Sequence, residues 1–332
     1  MINIAMVPVG DPGNAADSTG YGSVSYPYSI GKYDITASQY AAFLNAVAAA
    51  DPYGLYNSFM ASNSPNITGA GIIQSGNSGS YTYSVVAGHE TFPVNFVNWG
   101  NSARFANWLQ NGQPTGVEGP GTTETGAYTL NGATSTAALM AVTRNPGATW
   151  VIPTEDEWYK TAYYKGGGTN AGYWLYPERS NSAPSNMLSA TGTNNANFYQ
   201  GGYTDPTNYL TPVGAFAGSP GSYGTFDEGG DVSQWNEAVV TGSSRGVRGG
   251  SFFYLPSDIL DNAPSYDRYF LGFDPTTETG LVGFRVASRA ASVPEPGSVV
   301  LLLMGALGFL LCRVSRTNIL SPCAAWPASG YD

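Results

Sequence analysis

Apolar residues recur at helical spacing in three stretches of the chain. Tyr40, Phe43, Leu44 and Val47 fall at i, i+3, i+4 and i+7 behind Thr36-Ala-Ser-Gln39. That tetrapeptide is a capping box, in which the Thr and Gln side chains satisfy each other's free backbone N–H groups, so an amphipathic helix is predicted. Phe105, Trp108 and Leu109 repeat the spacing after Asn98, and Gly112 supplies a left-handed stop. Thr154-Glu-Asp-Glu157 is a second capping box, preceded by Pro153, followed by Trp158 and Ala162 and closed by Gly166. All three aromatic stripes read as core. Short Tyr/Thr/Val runs such as residues 80–87 read as strands. Clusters of Gly, Asn, Ser and Thr at residues 62–66 and 192–197 mark turns and ordered loops, and no repeat period is found. The pattern is that of an α+β domain with much irregular loop.

The end of the chain is different. Pro294, Glu295 and Pro296 break the chain, residues 298–312 are almost wholly apolar, and Arg313 and Arg316 follow with no acid nearby. As a helix this run is about 22 Å long, short of the ~30 Å hydrocarbon core, so it spans only with local thinning or snorkelling of its flanks. A buried core helix is the alternative. The basic flank favours a membrane segment with the arginines inside. Residues 1–9 carry neither a basic region nor a long apolar run of the secretory kind, so an exported chain implies a true start upstream of Met1.

Composition narrows the chemistry. The 332 residues include 13 Lys+Arg against 23 Asp+Glu, a net charge of -10, which gives no electrostatic footprint for nucleic acid. The single histidine, His89, cannot build a multi-His metal site, and the two cysteines, Cys312 and Cys323, lie too near the end to staple a domain. Aromatic residues make up 13% of the chain, so rings supply much of the core. Gly166-Gly-Gly-Thr-Asn-Ala-Gly172 follows a helix rather than a strand and lacks a P-loop Lys, so it reads as a loop. His89 reads as a loop residue too.

Several phrases, in order, resemble the formylglycine-generating-enzyme (sulfatase-modifying factor) domain. They are Ile30-Gly-Lys-Tyr-Asp-Ile-Thr-Ala-Ser-Gln-Tyr40, Pro93-Val-Asn-Phe-Val-Asn-Trp99 and Ile152-Pro-Thr-Glu-Asp-Glu-Trp158. Gly229-Gly-Asp-Val-Ser-Gln-Trp235, Arg248-Gly-Gly-Ser-Phe252 and Gly283-Phe-Arg285 continue the series. The resemblance runs from about residue 5 to 288 and implies a decorated C-type-lectin-like fold, here with one added C-terminal hydrophobic helix. The tail resembles a PEP-CTERM sorting signal, cut by an exosortase. Its parts are Pro294-Glu295-Pro296, the apolar run, and Arg313 with Arg316. The implied organisation is a domain at residues 1–290, a signal at 291–316 with its membrane segment at 298–312, and an atypical tail at 317–332.

The same resemblance bears on chemistry. The family oxidises a substrate cysteine with copper held by two cysteines after Arg-Gly-Gly-Ser. The corresponding positions are Tyr254 and Ile259, neither of which is the soft sulfur ligand that Cu(I) requires. Relatives of the ergothioneine type use several histidines, and only His89 is present. No copper is expected. Calcium is, through two ligand sets that the resemblance implies. The first is the Asn197 side chain, the Phe198 carbonyl, Asp205 and the Thr207 carbonyl. The second is Asp227, the carbonyls of Gly230 and Val232, and Gln234, where the family has Asn first and Glu last. Hard oxygen donors suit calcium, while capping of turns beside Pro206 and Gly229 is the alternative for the two aspartates. By position, Asp227, Glu228 and Asp231 suit calcium or turn roles better than acid/base work.

The expected function is that of an exported, envelope-anchored binding or structural module of the cell surface or extracellular matrix, with a peptide or polysaccharide ligand. Tyr254, Trp235 and Tyr266 are candidate stacking side chains. Two other readings stay open: an oxidoreductase or other enzyme using the same groove through unrecognised residues, and a calcium-dependent carbohydrate-binding module.

Overall fold

The capping signals in the sequence fix where the helices start. In the computed structural model, which describes residues 1–64, 67–255 and 271–289, the Gln39 N–H donates to Thr36 Oγ1 (3.2 Å) and the Thr36 N–H to Gln39 Oε1 (3.0 Å). The Thr154/Glu157 box closes in the same way, at 3.1 and 2.8 Å.

In chain order the elements are β1 (Met6–Val9), β2 (Tyr28–Gly31), α1 (Ala37–Val47), β3 (Asn63–Ser64), β4 (Ile67–Thr68), β5 (Ile72–Ser75) and β6 (Thr82–Val85). They continue with α2 (Trp99–Gln110), α3 (Thr136–Ala141), β7 (Trp150–Val151), α4 (Glu155–Tyr163), β8 (Ser233–Thr241), β9 (Ser244–Arg248), β10 (Leu271–Phe273), β11 (Val282–Gly283) and β12 (Ala287–Ser288). The three expected helices are α1, α2 and α4, and Gly112 and Gly166 take left-handed backbone (φ +80° and +71°) just beyond two of them. The strand expected within residues 80–87 is β6, paired with β5. The short α3 carries no capping box, only a Ser135 cap, and its last carbonyls are held from outside by Arg245, at 2.8 Å to Leu139 O and 2.6 Å to Val142 O.

Two four-stranded sheets frame the domain, in the orders β1-β2-β12-β7 and β10-β9-β8-β11. In the first, Ile30 pairs with Ala287, which joins the two ends of the domain. In the second, the β8–β9 hairpin places Gln234 opposite Arg248, and β11 runs parallel to β8 with Gly283 beside Gln234. The rings of Phe43, Phe105 and Trp108 pack between α1 and α2 with centroids 5.3–5.7 Å apart.

Buried polar groups tie these layers together. Arg285, fully buried, donates to Gln234 Oε1 (2.6 Å), Gly31 O (3.0 Å), Phe226 O (2.8 Å) and Asp34 Oδ1 (3.4 Å). Trp158 Nε1 of α4 donates to the same Gln234 oxygen at 2.6 Å. Arg104 of α2 grips Glu124 with two N–H groups, at 2.6 and 3.2 Å, both side chains being buried. The glycine loop after α4 does cradle an anion, the chain's own Asp11: the N–H groups of Gly167 and Gly168 donate to its carboxylate at 3.2 and 2.8 Å.

Trp235 is a correction. Its ring is fully buried and its indole N–H donates to Val97 O at 2.9 Å, so it is not available for stacking on a ligand. Its place in β8, at a ladder position facing the core, decides this. Among the described residues no helix is long and apolar enough to cross a membrane. The sorting signal, residues 298–312, Cys312, Cys323, Ile259 and Tyr266 lie outside the described residues.

Removing one partner of the Arg104–Glu124 pair leaves a buried charge without compensation. Glu124→Ala is expected to destabilise the domain by about 3–5 kcal/mol in urea denaturation. A loss under about 1 kcal/mol, the range of exposed pairs, would show that the pair is not buried as described.

Candidate functional site

The Arg248-Gly-Gly-Ser-Phe252 phrase ends β9 and runs directly into a cavity of about 400 Å³ walled by rings. Phe252, Phe253, Tyr203 and Tyr209 line it together with Phe59, Phe96 and residues 278–281. The rings pack on one another, Tyr203 against Tyr209 at 4.6 Å, Tyr209 against Phe252 at 5.9 Å and Phe59 against Phe96 at 5.6 Å. Phe253 and Phe59 keep 56% and 46% of their surface in solvent.

Two of these side chains stand on strained backbone. Phe96 and Tyr209 have φ of +56° and +62°, in the left-handed region that bulky residues avoid. Each costs about 1–3 kcal/mol and persists only where surrounding bonds fix it. Around Phe96, its own N–H donates to Thr279 O (3.0 Å), while Asn95 Nδ2 donates to Thr68 O (2.7 Å) and Gly280 O (2.9 Å). Around Tyr209, the N–H donates to Asp205 O (2.9 Å) and the carbonyl accepts from Asn197 Nδ2 (2.8 Å). Two such residues on one cavity mark it as the candidate site.

Among the described residues its charged wall is Glu278, whose carboxylate accepts from the amides of Asn57 (2.5 Å), Asn98 (2.8 Å) and Asn101 (3.3 Å). Burial pushes this carboxyl above its usual range, and the Asn57 and Asn98 donors pull it partly back. No Lys or Arg lines the cavity among the described residues. The sequence reading did not single out any of these lining side chains. Phe96 and Phe252 sit inside recognisable phrases, whereas Phe59, Tyr203 and Glu278 carry no local signal. Tyr254 follows Phe253, half-buried, its carbonyl accepting from the Tyr199 N–H at 2.9 Å.

The two expected calcium segments lie side by side. Asn197 and Gly230 form a parallel bridge, the Asp231 N–H donates to Asn197 O (2.7 Å), and Asn197 Nδ2 donates to Asp231 Oδ1 (3.1 Å). Among the described residues Asn197 Oδ1 is buried without a hydrogen-bond partner, which fits a cation ligand. Phe198 O accepts from Asn186 Nδ2 at 3.2 Å and keeps a second lone pair. Asp205 folds onto its own loop, accepting from the N–H groups of Thr207 (2.8 Å) and Asn208 (3.0 Å). The second set does not fit a cation in the same way. Both lone pairs of Gln234 Oε1 are taken by Trp158 and Arg285, and Gln234 Nε2 donates to Asp227 O at 2.7 Å. Asp227 accepts from the Gly214 N–H at 2.6 Å, and burial lifts its carboxyl to about 6. Val232 is a buried residue of the small cluster around Phe252. Among the described residues no group of three or more carboxylate, imidazole or thiol side chains is arranged to hold a metal ion. His89 sits in a loop with its ring 4.5 Å from Phe92.

Behind these segments, Asp34, Glu178, Glu228 and Asp231 are all buried, and Arg285 is the guanidinium that reaches Asp34 and Glu228. Asp34 Oδ2, Glu178 Oε2 and Glu228 Oε1 have no hydrogen-bond partner among the described residues. Burial raises Glu178 to about 8 and Glu228 to about 7, from an ordinary value of 4.5. At these two groups the folded chain therefore holds more protons than the unfolded chain between about pH 4.5 and 8. The stability from these groups is full below that pH and is lost as pH rises through about 7 and then 8. Thermal midpoints recorded in chelator from about pH 4.5 to 8.5 are expected to fall, with a shallower fall in Glu178→Gln. A flat or rising profile would mean that both acids are ionised in the folded state.

Comparison with known proteins places this geometry. Among solved structures, the crystal structure of CarF is similar at a TM-score of 0.51 and 20% identity, covering 87% of this chain and 100% of that one. Variable protein 1 of Treponema denticola (TM-score 0.49, 16% identity) covers 87% of this chain and 96% of its own. PvdO from Pseudomonas aeruginosa (TM-score 0.47, 18% identity) covers 86% of this chain and 92% of its own. The likeness to CarF is one of fold. No curated protein matches the chain significantly. The model of the sulfatase-modifying factor enzyme 1-like domain matches residues 19–290, and the chain belongs to that family, the formylglycine-generating-enzyme-like proteins.

Proposed function

We propose that this member of the family works as a ligand-binding module without the family's oxidase chemistry, its groove being the ring-walled cavity beside Phe252. The observation that carries this reading is the sulfur content of the domain: both cysteines lie at or beyond residue 312. Where the resemblance puts the first copper-binding cysteine stands Tyr254, whose phenol is a poor partner for a soft metal. In place of a redox centre the region offers Phe252, Phe253, Tyr203 and Tyr209. Such rings bind by burying apolar faces and by their quadrupoles, with Glu278 fixing orientation.

The reading takes the scaffold as the decorated C-type-lectin-like type and extends it with an exported location. Pro294-Glu295-Pro296, residues 298–312, Arg313 and Arg316 would serve as a PEP-CTERM signal and transient anchor, released by an exosortase. Calcium belongs to the first set, Asn197, Phe198, Asp205 and Thr207, where it would neutralise part of the buried negative charge. It does not belong to the set ending at Gln234. The groove and the calcium segments share Tyr209, so the ion would stiffen one wall.

Three outcomes are expected. Incubated with copper, oxygen and a cysteine-bearing sulfatase peptide, the domain yields no formylglycine by mass spectrometry. Turnover with bound copper would establish the oxidoreductase reading instead. Removing calcium with chelator lowers the thermal midpoint by several degrees, equivalent to about 2.7 kcal/mol for an ion present at a hundred times its Kd. Asn197→Ala is expected to remove that sensitivity. If chelation abolishes ligand binding at a temperature where the domain stays folded, the calcium-dependent carbohydrate reading replaces the structural one.

A further inference from the structure

We infer that the ring-walled groove takes a quaternary or alkylated ammonium head group. The inference rests on the groove being the ligand site and names what it selects. Its rings do not form a flat platform. Tyr203 meets Tyr209 at 83° and Phe252 at 60°, and Tyr209 meets Phe252 at 42°, so the ring planes of the lining are tilted against one another. Phe59 and Phe96, also on the lining, lie 34° apart. A sugar ring asks for one broad exposed face, whereas a compact cation gains from several ring faces directed at it, since each presents the negative side of its quadrupole.

Charge points the same way. Glu278 is the acid on the wall, and the partners of its carboxylate are three neutral side-chain amides, so its charge is oriented but not neutralised. Among the described residues no cation faces it from the lining. A quaternary ammonium is weakly hydrated, enters an apolar cavity readily, and brings a positive charge to Glu278 without needing a hydrogen-bond acceptor for itself. The strained backbone of Phe96 and Tyr209 gives both rings positions that an unstrained chain would not.

The test uses choline as probe, with its neutral carbon isostere dimethylbutanol and a neutral oligosaccharide as comparisons, titrated onto the folded domain by calorimetry or NMR. Choline is expected to bind roughly tenfold tighter than the isostere. Phe253→Leu keeps the apolar surface and loses the quadrupole, and at 56% exposure it leaves folding intact. It should weaken choline several-fold and leave the isostere unchanged, and Glu278→Gln should act in the same direction. Equal binding of choline and isostere, tighter binding of the oligosaccharide, or no choline binding at all would overturn the inference. Copper-dependent peptide oxidation would overturn only the preceding functional reading, so the two fail separately.

Discussion

One buried guanidinium holds the domain's distant segments in register. Arg285 reaches Gly31 at the end of β2, Asp34 just before α1, Phe226 in the loop ahead of β8, and Gln234 on β8. Through the shared Gln234 oxygen it is coupled to Trp158 of α4. Taking such a charge out of water is tolerable only when its N–H groups find acceptors, and those acceptors come from two stretches far apart in the sequence, residues 31–34 and 226–234. The geometry is therefore cooperative: displacing either stretch leaves the ion under-satisfied.

That constraint explains how much was legible beforehand. The helices α1, α2 and α4 carry their own start signals in Thr36, Asn98 and Thr154, and α2 and α4 their stops in Gly112 and Gly166, so local chemistry sufficed. The short α3 was invisible because Arg245, more than a hundred residues later, supplies its closing contacts. Family likeness located the phrase before Phe252 but not the groove, whose walls come from Phe59, Phe96, Tyr203, Tyr209 and Glu278 in separate loops. Nothing in residue type announces a left-handed Phe96 or Tyr209. Trp235 was misjudged for the related reason that a tryptophan reads alike in a core and on a binding face until the strand register is known.

Scaffold bonds and groove lining are also separable in this molecule. The bonds that assemble it run through Arg285, Gln234, Trp158, Arg104 and Glu124, and none of these involves the Tyr254 position. The lining of the groove can thus vary in chemistry without removing any of these bonds.

The place of β12 has a mechanical consequence. This last strand lies between β2 and β7, inside its sheet rather than at the border. Tension applied to the polypeptide at Arg289 would be shared by ladders on two flanks, backed by the Arg289 N–H bond to Thr149 O at 2.9 Å and by its guanidinium resting 3.8 Å from the Tyr26 ring. Peeling from a rim would break bonds one after another, whereas here a pull must shear both flanks together.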